Sequence, residues 1–256
     1  MGRFASTVAL YEELRPPYPL EFFRSVAQQL KLSRQHALID LGTGPGLLAL
    51  GFAPYVGRIV GIDPEPAMIA AAREAAVRSG ADFTLIEGRA ETLPADIGSF
   101  DLVTIGRALH WMEREATLAR LERLVACDGS IAICGSSSAA DGRNPWLYDY
   151  NAARRAWSPA RLWGESGSGE RRHRDLKAFF EGSAFQLKDL IKVETSHAVG
   201  VRDLARRVLT FSSSSPEALG DKVEAMLRDV EKRLMPFARD GVVAEALVSV
   251  AQIVRR

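Results

Sequence analysis

The sequence predicts an α/β fold, with a mostly parallel sheet and helices on both of its faces. Strand and helix signals alternate along residues 38–134, and such alternation is typical of parallel strands joined by right-handed crossovers. One apolar strand runs into a turn with glycine at every second position, at Gly42, Gly44 and Gly46. A second apolar strand ends on a single carboxylate, Asp63. Ligands of such folds bind at the carboxyl ends of the strands, so we expect a site there.

The individual elements follow from apolar runs and from the turn residues between them. Five apolar segments predict the parallel strands, at 37–41, 58–63, 82–87, 100–106 and 130–134. Helices are expected at 46–55, 66–79 and 113–126, of which the second is rich in alanine, the strongest helix former. Further on, loops are expected at 136–142 and 164–170, helices at 175–181, 202–211 and 216–235, and one or two strands at 185–199. The last apolar run, 242–254, fits a helix or a strand, and we interpret its second half as a strand.

The composition is that of an ordinary soluble globular protein. The chain has 256 residues, of which 47% are hydrophobic and 25% charged, and its net charge is +1. This balance argues against a dedicated nucleic-acid surface, and we identify neither a membrane span nor a signal peptide. Cys127 and Cys134 are expected to be buried small side chains in a reducing compartment, which favours a cytoplasmic protein. Their spacing does not predict a metal site.

The spacing of the glycines distinguishes between two classes of nucleoside cofactor. A dinucleotide motif reads G-x-G-x-x-G, with a phosphate at the N-terminus of the following helix. Here the third glycine comes one residue early, at Gly46, and Leu47 stands where that motif has glycine. A nicotinamide dinucleotide is therefore disfavoured. The segment 40–46 (DLGTGPG), followed by Asp63, instead resembles motif I of the class I S-adenosylmethionine-dependent methyltransferases.

This resemblance implies a cofactor, a fold and a set of binding residues. The cofactor is S-adenosylmethionine, and the fold is a Rossmann-like, mostly parallel seven-stranded sheet closed by an antiparallel C-terminal strand. Asp63, followed by Pro64, is expected to bind the ribose hydroxyls. The remaining residues implied by the motif contact the loop side and the methionine end of the cofactor: Asp40, Gly42, Thr43, Gly44 and Gly46.

The N-terminal segment resembles an element of the small-molecule, type 11 branch of that family. Residues 11–19 (YEELRPPYP) are similar to its Y-x-x-x-R-P-x-Y-P element, which folds over the cofactor. The resemblance implies cofactor contacts for Tyr11 and Arg15, and a tyrosine face suits a sulfonium. The alternative is a proline-rich segment whose aromatic side chains only pack.

Two further segments resemble the same branch. Residues 87–94 (EGRAETLP) are similar to its G-x-A-E-x-L-P element, which implies that Ala90 and Glu91 lie beside the adenine. The alternative is a solvated loop carboxylate. Residues 100–111 (FDLVTIGRALHW) are similar to its F-D-x-V-x-x-x-x-A-x-H-W element, which places Gly106 and Arg107 beside the methionine part of the cofactor.

The histidine of that last element is the candidate catalytic base. His110 could accept a proton from a substrate hydroxyl or acid, or it could be structural and donate to a backbone carbonyl. Trp111 is expected on the substrate side. Three aromatic residues that follow the fifth strand, Trp146, Tyr150 and Trp157, are expected to form an aromatic cap over the acceptor. Several arginines in this region, including Arg154, could instead bind an acidic acceptor, although a solvated basic face is the alternative.

Together these features imply four segments and one function. The segments are an N-terminal helical lid (1–36), a cofactor-binding core (37–135), a cap (136–182) and a C-terminal part that completes the sheet (183–256). The function is transfer of a methyl group to an oxygen or nitrogen atom of a small molecule, such as a secondary metabolite or an organic acid, by in-line displacement. The alternatives are an RNA or protein methyltransferase and a non-catalytic S-adenosylmethionine-binding regulator. We expect a monomer or homodimer that binds neither membrane nor nucleic acid.

Overall fold

A single seven-stranded sheet organises the protein. The computed structural model describes residues 10, 13–94, 96–158 and 175–256. The strands are β1 (Ala37–Leu41), β2 (Arg58–Asp63), β3 (Thr84–Glu87), β4 (Phe100–Gly106), β5 (Val125–Ser138), β6 (Gln186–Gly200) and β7 (Val242–Arg255). They lie in the order β3-β2-β1-β4-β5-β7-β6. The first five pair in parallel and β7 is antiparallel to both neighbours, so the predicted fold class is confirmed.

Nine α-helices lie in the described ranges. They are α1 (Leu20–Gln29), α2 (Leu47–Phe52), α3 (Pro66–Ser79), α4 (Arg114–Leu124), α5 (Leu147–Trp157), α6 (Leu176–Phe180), α7 (Val201–Arg207), α8 (Pro216–Leu219) and α9 (Val223–Leu234). Short 3-10 turns extend α2 and α7 to about the lengths that the sequence predicts. The helix expected at 216–235 is interrupted at Gly220, which has a φ of +59°.

Two apolar cores cover the two faces of the sheet. Along β1, Leu38 packs into one core and Ile39 into the other, as the alternation of side chains along a strand requires. The first core joins Leu38 to Phe22 of α1 and to α2, and the second joins Ile39 to α4 and to Phe179 of α6. The N-terminal segment predicted as a lid therefore does not act as one unit, because its helix α1 belongs to the core of the sheet.

The cap is a third apolar cluster, built from α5, α7 and α9. Tyr150, Leu204 and Val230 are buried in it, one from each helix. It joins the long β6–β7 hairpin through Val243 of β7 and through Trp146, whose Nε1 donates to the Ala244 carbonyl at 3.0 Å. Because of these contacts, the cap is fixed to one end of the sheet.

Three sequence-based expectations are corrected by the structure. Residues 136–138, expected in a loop, extend β5 and pair with β7, where Ser136 lies opposite Ser249. The whole of the last apolar run is a strand, since its first half pairs with β6 as well. Cys127 is exposed, whereas Cys134 is buried as expected. The loop expected at 164–170 lies outside the described residues. No helix in the described ranges is long and apolar enough to span a membrane.

Candidate functional site

A cavity of about 930 Å³ lies at the carboxyl ends of β1, β2, β4 and β5. Its wall combines the loops that follow these strands with parts of the N-terminal segment and the cap. The lining residues are 15, 18, 40, 42–45, 47, 48, 63–65, 68, 88–91, 106–108, 110–112, 135–137, 154, 211 and 250. The cavity is therefore where a parallel α/β sheet is expected to bind its ligand.

The glycine loop after β1 forms the floor of the cavity. Gly42, Gly44 and Gly46 have φ angles of +71°, +54° and +86°, in the left-handed region that favours glycine. A Cβ on Gly42 would lie 2.5 Å from the Cβ of Ala108, so the loops after β1 and β4 meet at van der Waals contact. The Gly42 N–H donates to the Ile62 carbonyl at 2.9 Å, which fixes the loop to β2.

Asp40 lies beneath this loop and holds it together. Its two carboxylate oxygens accept hydrogen bonds from the hydroxyls of Thr43 and Thr104, each at 2.7 Å. The side chain is 1% exposed, and burial raises its pKa from an ordinary 3.8 to about 6. Asp40 thus connects β1, its loop and β4 through charge-assisted hydrogen bonds.

Asp63, at the end of β2, is the second carboxylate of the site. It accepts from the N–H groups of Gly44 and Glu65, both at 2.9 Å, which orient the carboxylate on the cavity wall. Burial raises its pKa, while the two N–H groups lower it. Each carboxylate oxygen can accept a further hydrogen bond, so two adjacent hydroxyl groups could be bound here.

Glu91 and Ala90 come from the loop after β3. Glu91 Oε1 accepts from the Glu113 N–H at 2.9 Å, and Arg89 forms an ion pair with the same oxygen at 3.5 Å. Ala90, Glu91 and Pro64 all line the cavity. The loop carboxylate therefore belongs to the cavity wall.

Arg107 follows β4 in a strained conformation, with a φ of +57°. Its Nη2 donates to the carbonyls of Pro16 and Ser136, at 2.7 and 2.8 Å, and its guanidinium lies 5.1 Å from the centre of the Tyr18 ring. Arg107 therefore joins the N-terminal segment to β5 at the cavity, beside Gly106.

His110 and Trp111 lie on a 3-10 turn after β4, and both line the cavity. Their ring centres are 4.8 Å apart. Trp111 is 38% exposed, a large fraction for a tryptophan at the wall of a cavity. The pair thus presents an imidazole and an apolar surface to the same space.

The three aromatic residues expected to bind the acceptor do not line the cavity. Trp146 is 1% exposed within the cap core, and Trp157 Nε1 donates to Asp229 at 2.8 Å. Tyr150 is also buried in that core. All three side chains pack within the cap, against β7 and α9. Gly46 also lies outside the wall, between Ala72 and Phe83. Tyr11 lies outside the described residues.

The structure adds two lining residues that the sequence analysis did not name, Met68 of α3 and Phe211, which follows α7. Arg154, one of the arginines considered for an acidic acceptor, also lines the cavity, as do Arg15 and Tyr18 of the 11–19 element. Arg15 contacts the cap as well, because it donates to the Thr210 carbonyl at 2.7 Å. Nothing in the local sequence indicates the contact between Arg15 and the cap, since it joins segments 195 residues apart.

Comparison with known proteins shows what the central part of the chain resembles. Residues 39–133 match the model of a family described as a methyltransferase domain, of type 11. This part of the chain is therefore similar to methyltransferase domains. The matched residues include most of β1, the glycine loop, Asp63 and the His110 turn, so the similarity covers the segments that carry the motifs.

The curated proteins that this chain resembles are distant from it in sequence. A probable S-adenosylmethionine-dependent methyltransferase of Saccharomyces cerevisiae is 29% identical over 127 residues, 48% of this chain and 43% of that protein. An uncharacterized methyltransferase-like protein of Schizosaccharomyces pombe is 23% identical over 90% of this chain and 86% of that protein. The match to the first curated relatives spans only 43% to 55% of their own length.

Solved structures show the same fold. A methyltransferase of Thiobacillus denitrificans in complex with S-adenosylhomocysteine has a TM-score of 0.58 and 16% identity, covering 100% of this chain and 98% of that one. At such identity the likeness is one of fold. It extends beyond the matched core to the cap and the β6–β7 hairpin.

Proposed function

We propose that the protein transfers a methyl group from S-adenosylmethionine to an oxygen or nitrogen atom of a small molecule, by in-line displacement. The observation that carries this proposal is the glycine loop against Ala108, with the carboxylate of Asp63 held beside it. A side chain at Gly42 would clash with Ala108, so only glycine allows the two loops this close contact. The S. cerevisiae relative is itself described as an S-adenosylmethionine-dependent methyltransferase.

The residues of the cavity fit this cofactor. We assign the ribose hydroxyls to Asp63 and Pro64, and the adenine side to Ala90 and Glu91, because all four line the cavity and the loops after β2 and β3 meet where the Gly88 N–H donates to the Asp63 carbonyl. The glycine loop and Asp40 would hold the methionine end of the cofactor, and Gly106 and Arg107 would face that end. Gly46 supports the loop by packing against α3.

S-adenosylmethionine, when bound, supplies a methyl group already activated by its sulfonium. The chain must then orient the acceptor and exclude water. His110 is the candidate base, because its imidazole lines the cavity and can take the proton of a hydroxyl or an amine. Trp111 contributes apolar surface beside it.

The first test is calorimetric titration with S-adenosylmethionine and S-adenosylhomocysteine, with NAD as the control ligand. We expect binding of the first two only. Asp63→Ala should weaken this binding by about ten- to hundred-fold, since each hydrogen bond to a charged group contributes about 1.5–3 kcal/mol. Glu74→Ala is the matched control, because that carboxylate is 77% exposed on α3.

Each outcome bears on a separate claim. Unchanged affinity in Asp63→Ala would refute the ribose assignment, and NAD binding would refute the cofactor. Binding without release of S-adenosylhomocysteine in any acceptor screen would favour a non-catalytic role. Loss of turnover in His110→Ala, with cofactor affinity retained, would support the base.

A further inference from the structure

Two arginines flank one phenylalanine at the cap side of the cavity. The guanidinium carbons of Arg15 and Arg154 lie 4.2 and 4.3 Å from the centre of the Phe211 ring. All three side chains line the cavity. They come from the N-terminal segment, from α5 and from the residue after the α7 extension, so tertiary structure brings two positive charges to one ring.

This arrangement is held in place by its surroundings. Arg15 Nη2 donates to the Thr210 carbonyl, and Glu13 nearby forms an ion pair with Arg206 of α7 at 3.0 Å. Arg154 follows Ala153, which is buried in the cap core. A guanidinium has five N–H donors in a planar fork that matches a carboxylate. Two such groups positioned in advance lose little entropy on binding an anion.

A buried hydroxyl lies behind this wall. Tyr150 is 4% exposed, and within the described part of the chain its hydroxyl has no hydrogen-bond partner. Burial raises the pKa of Tyr150 to about 12, while the guanidinium groups of Arg207, Arg154 and Arg15 lower it. The hydroxyl is therefore within electrostatic range of both cavity arginines.

The cavity wall carries charges of both signs. Its carboxylates, Asp40, Asp63, Glu65 and Glu91, would repel an anionic ligand. Of the other lining arginines, Arg89 pairs with Glu91, and Arg107 donates to the carbonyls of Pro16 and Ser136. Arg15 and Arg154 instead bring two guanidinium groups to one ring, so Phe211 marks the place that best suits an anionic group.

We propose that the methyl acceptor is an organic carboxylate and that Arg15 and Arg154 bind its carboxylate group against Phe211. The carboxylate is the group by which the acceptor is held, and the rest of the molecule extends toward His110 and Trp111. This inference rests on the proposed function, because it names the acceptor of that reaction. The methionine carboxylate of the cofactor has the same chemistry, and the test must separate the two sources.

The experiment compares carboxylates with their neutral amides on protein saturated with S-adenosylhomocysteine. Benzoate, phenylacetate, hexanoate and succinate are each paired with the corresponding amide, and binding is measured by calorimetry. We expect at least one carboxylate to bind about ten-fold or more tightly than its amide, as charge-assisted hydrogen bonds predict.

The variants locate the binding group. Arg154→Gln and Arg15→Gln should each weaken the preferred carboxylate by about ten-fold or more, with affinity for S-adenosylhomocysteine unchanged. Arg155→Gln is the matched control, because Arg155 is the next residue on the same helix and is exposed. Arg155→Gln should change neither the affinity for the carboxylate nor the affinity for S-adenosylhomocysteine. Two separate arginine variants keep the test valid if one of them fails to fold.

The experiment distinguishes failure of the proposed function from failure of the acceptor class. If S-adenosylhomocysteine and S-adenosylmethionine do not bind the wild type, the proposed function fails first. If they bind but no carboxylate is preferred over its amide, only the acceptor class is wrong. If the arginine variants weaken cofactor binding and spare the carboxylate, the pair binds the cofactor and this inference is overturned.

Discussion

Substitution of Gly42 by alanine tests the geometry on which the site depends. The change introduces two penalties, a left-handed backbone at φ +71° and a Cβ only 2.5 Å from the Cβ of Ala108. Gly80, which follows α3, has the first penalty alone: its φ is +67° and nothing lies within 4 Å of an added Cβ. Gly80→Ala is therefore a matched control for backbone strain.

The two penalties have different magnitudes. A left-handed conformation costs alanine about 1–2 kcal/mol, and the lower entropy of the unfolded chain offsets about 0.4–1 kcal/mol of that. Gly80→Ala should thus lower the free energy of unfolding by about 1 kcal/mol. Forcing a methyl group into an occupied contact costs about 1–3 kcal/mol, so Gly42→Ala should lose about 2–4 kcal/mol in all.

Urea unfolding, followed by tryptophan fluorescence and by circular dichroism, measures these losses. The double variant Gly42→Ala/Ala108→Gly removes the close contact, because the nearest remaining atoms are then the methyl of Met112 at 3.7 Å and the Cα of residue 108 at 3.9 Å. We expect a favourable coupling of about 1–3 kcal/mol between the two substitutions. Additive losses, or equal losses for Gly42→Ala and Gly80→Ala, would refute the reasoning.

Three further predictions concern buried polar groups. The pKa of Asp40 is raised from 3.8 to about 6, so the folded state binds its proton more tightly. The free energy of unfolding relative to Asp40→Asn should therefore fall by about 2 kcal/mol as pH rises from 4 to 6, and a flat difference would contradict this. Glu245→Gln should cost about 3–5 kcal/mol in urea unfolding, because it leaves the charge of Arg207 buried after removal of its bidentate partner at 2.7 and 2.9 Å. Tyr150→Phe should leave stability unchanged or raise it by about 1 kcal/mol, since the lost hydroxyl has no hydrogen-bond partner in the described ranges, and a clear loss would reveal one.

The sheet and the glycine-loop side of the cavity were predictable because their signals are local. The strand that ends at Leu41, the three glycines and Asp63 lie within one short stretch, and each has a physical reason visible in the sequence. The positive φ of every loop glycine agrees with that interpretation. Apolar runs of strand length predicted β1, β2 and β4 with the bounds that the structure has.

The C-terminal half was less predictable because its partners are remote. Three consecutive serines are typical of a loop, yet Ser136 pairs with Ser249, 113 residues later, through their hydroxyls at 3.0 Å. Nothing within residues 136–138 indicates that partner. The same is true of Phe211, whose two arginine neighbours come from distant segments.

Helix α5 shows that the packing of the cap aromatic residues could be predicted from their helical spacing. Trp146, Tyr150, Ala153 and Trp157 follow one another at intervals of four, three and four, the spacing of one helical face. That spacing predicts a face packed against other helices, which is where all four side chains lie. The helical face on which a residue lies is thus better evidence of whether it contacts a ligand than the type of its side chain. Arg154, one position beyond Ala153, is turned away from the centre of that face, and it is the α5 side chain that reaches the cavity.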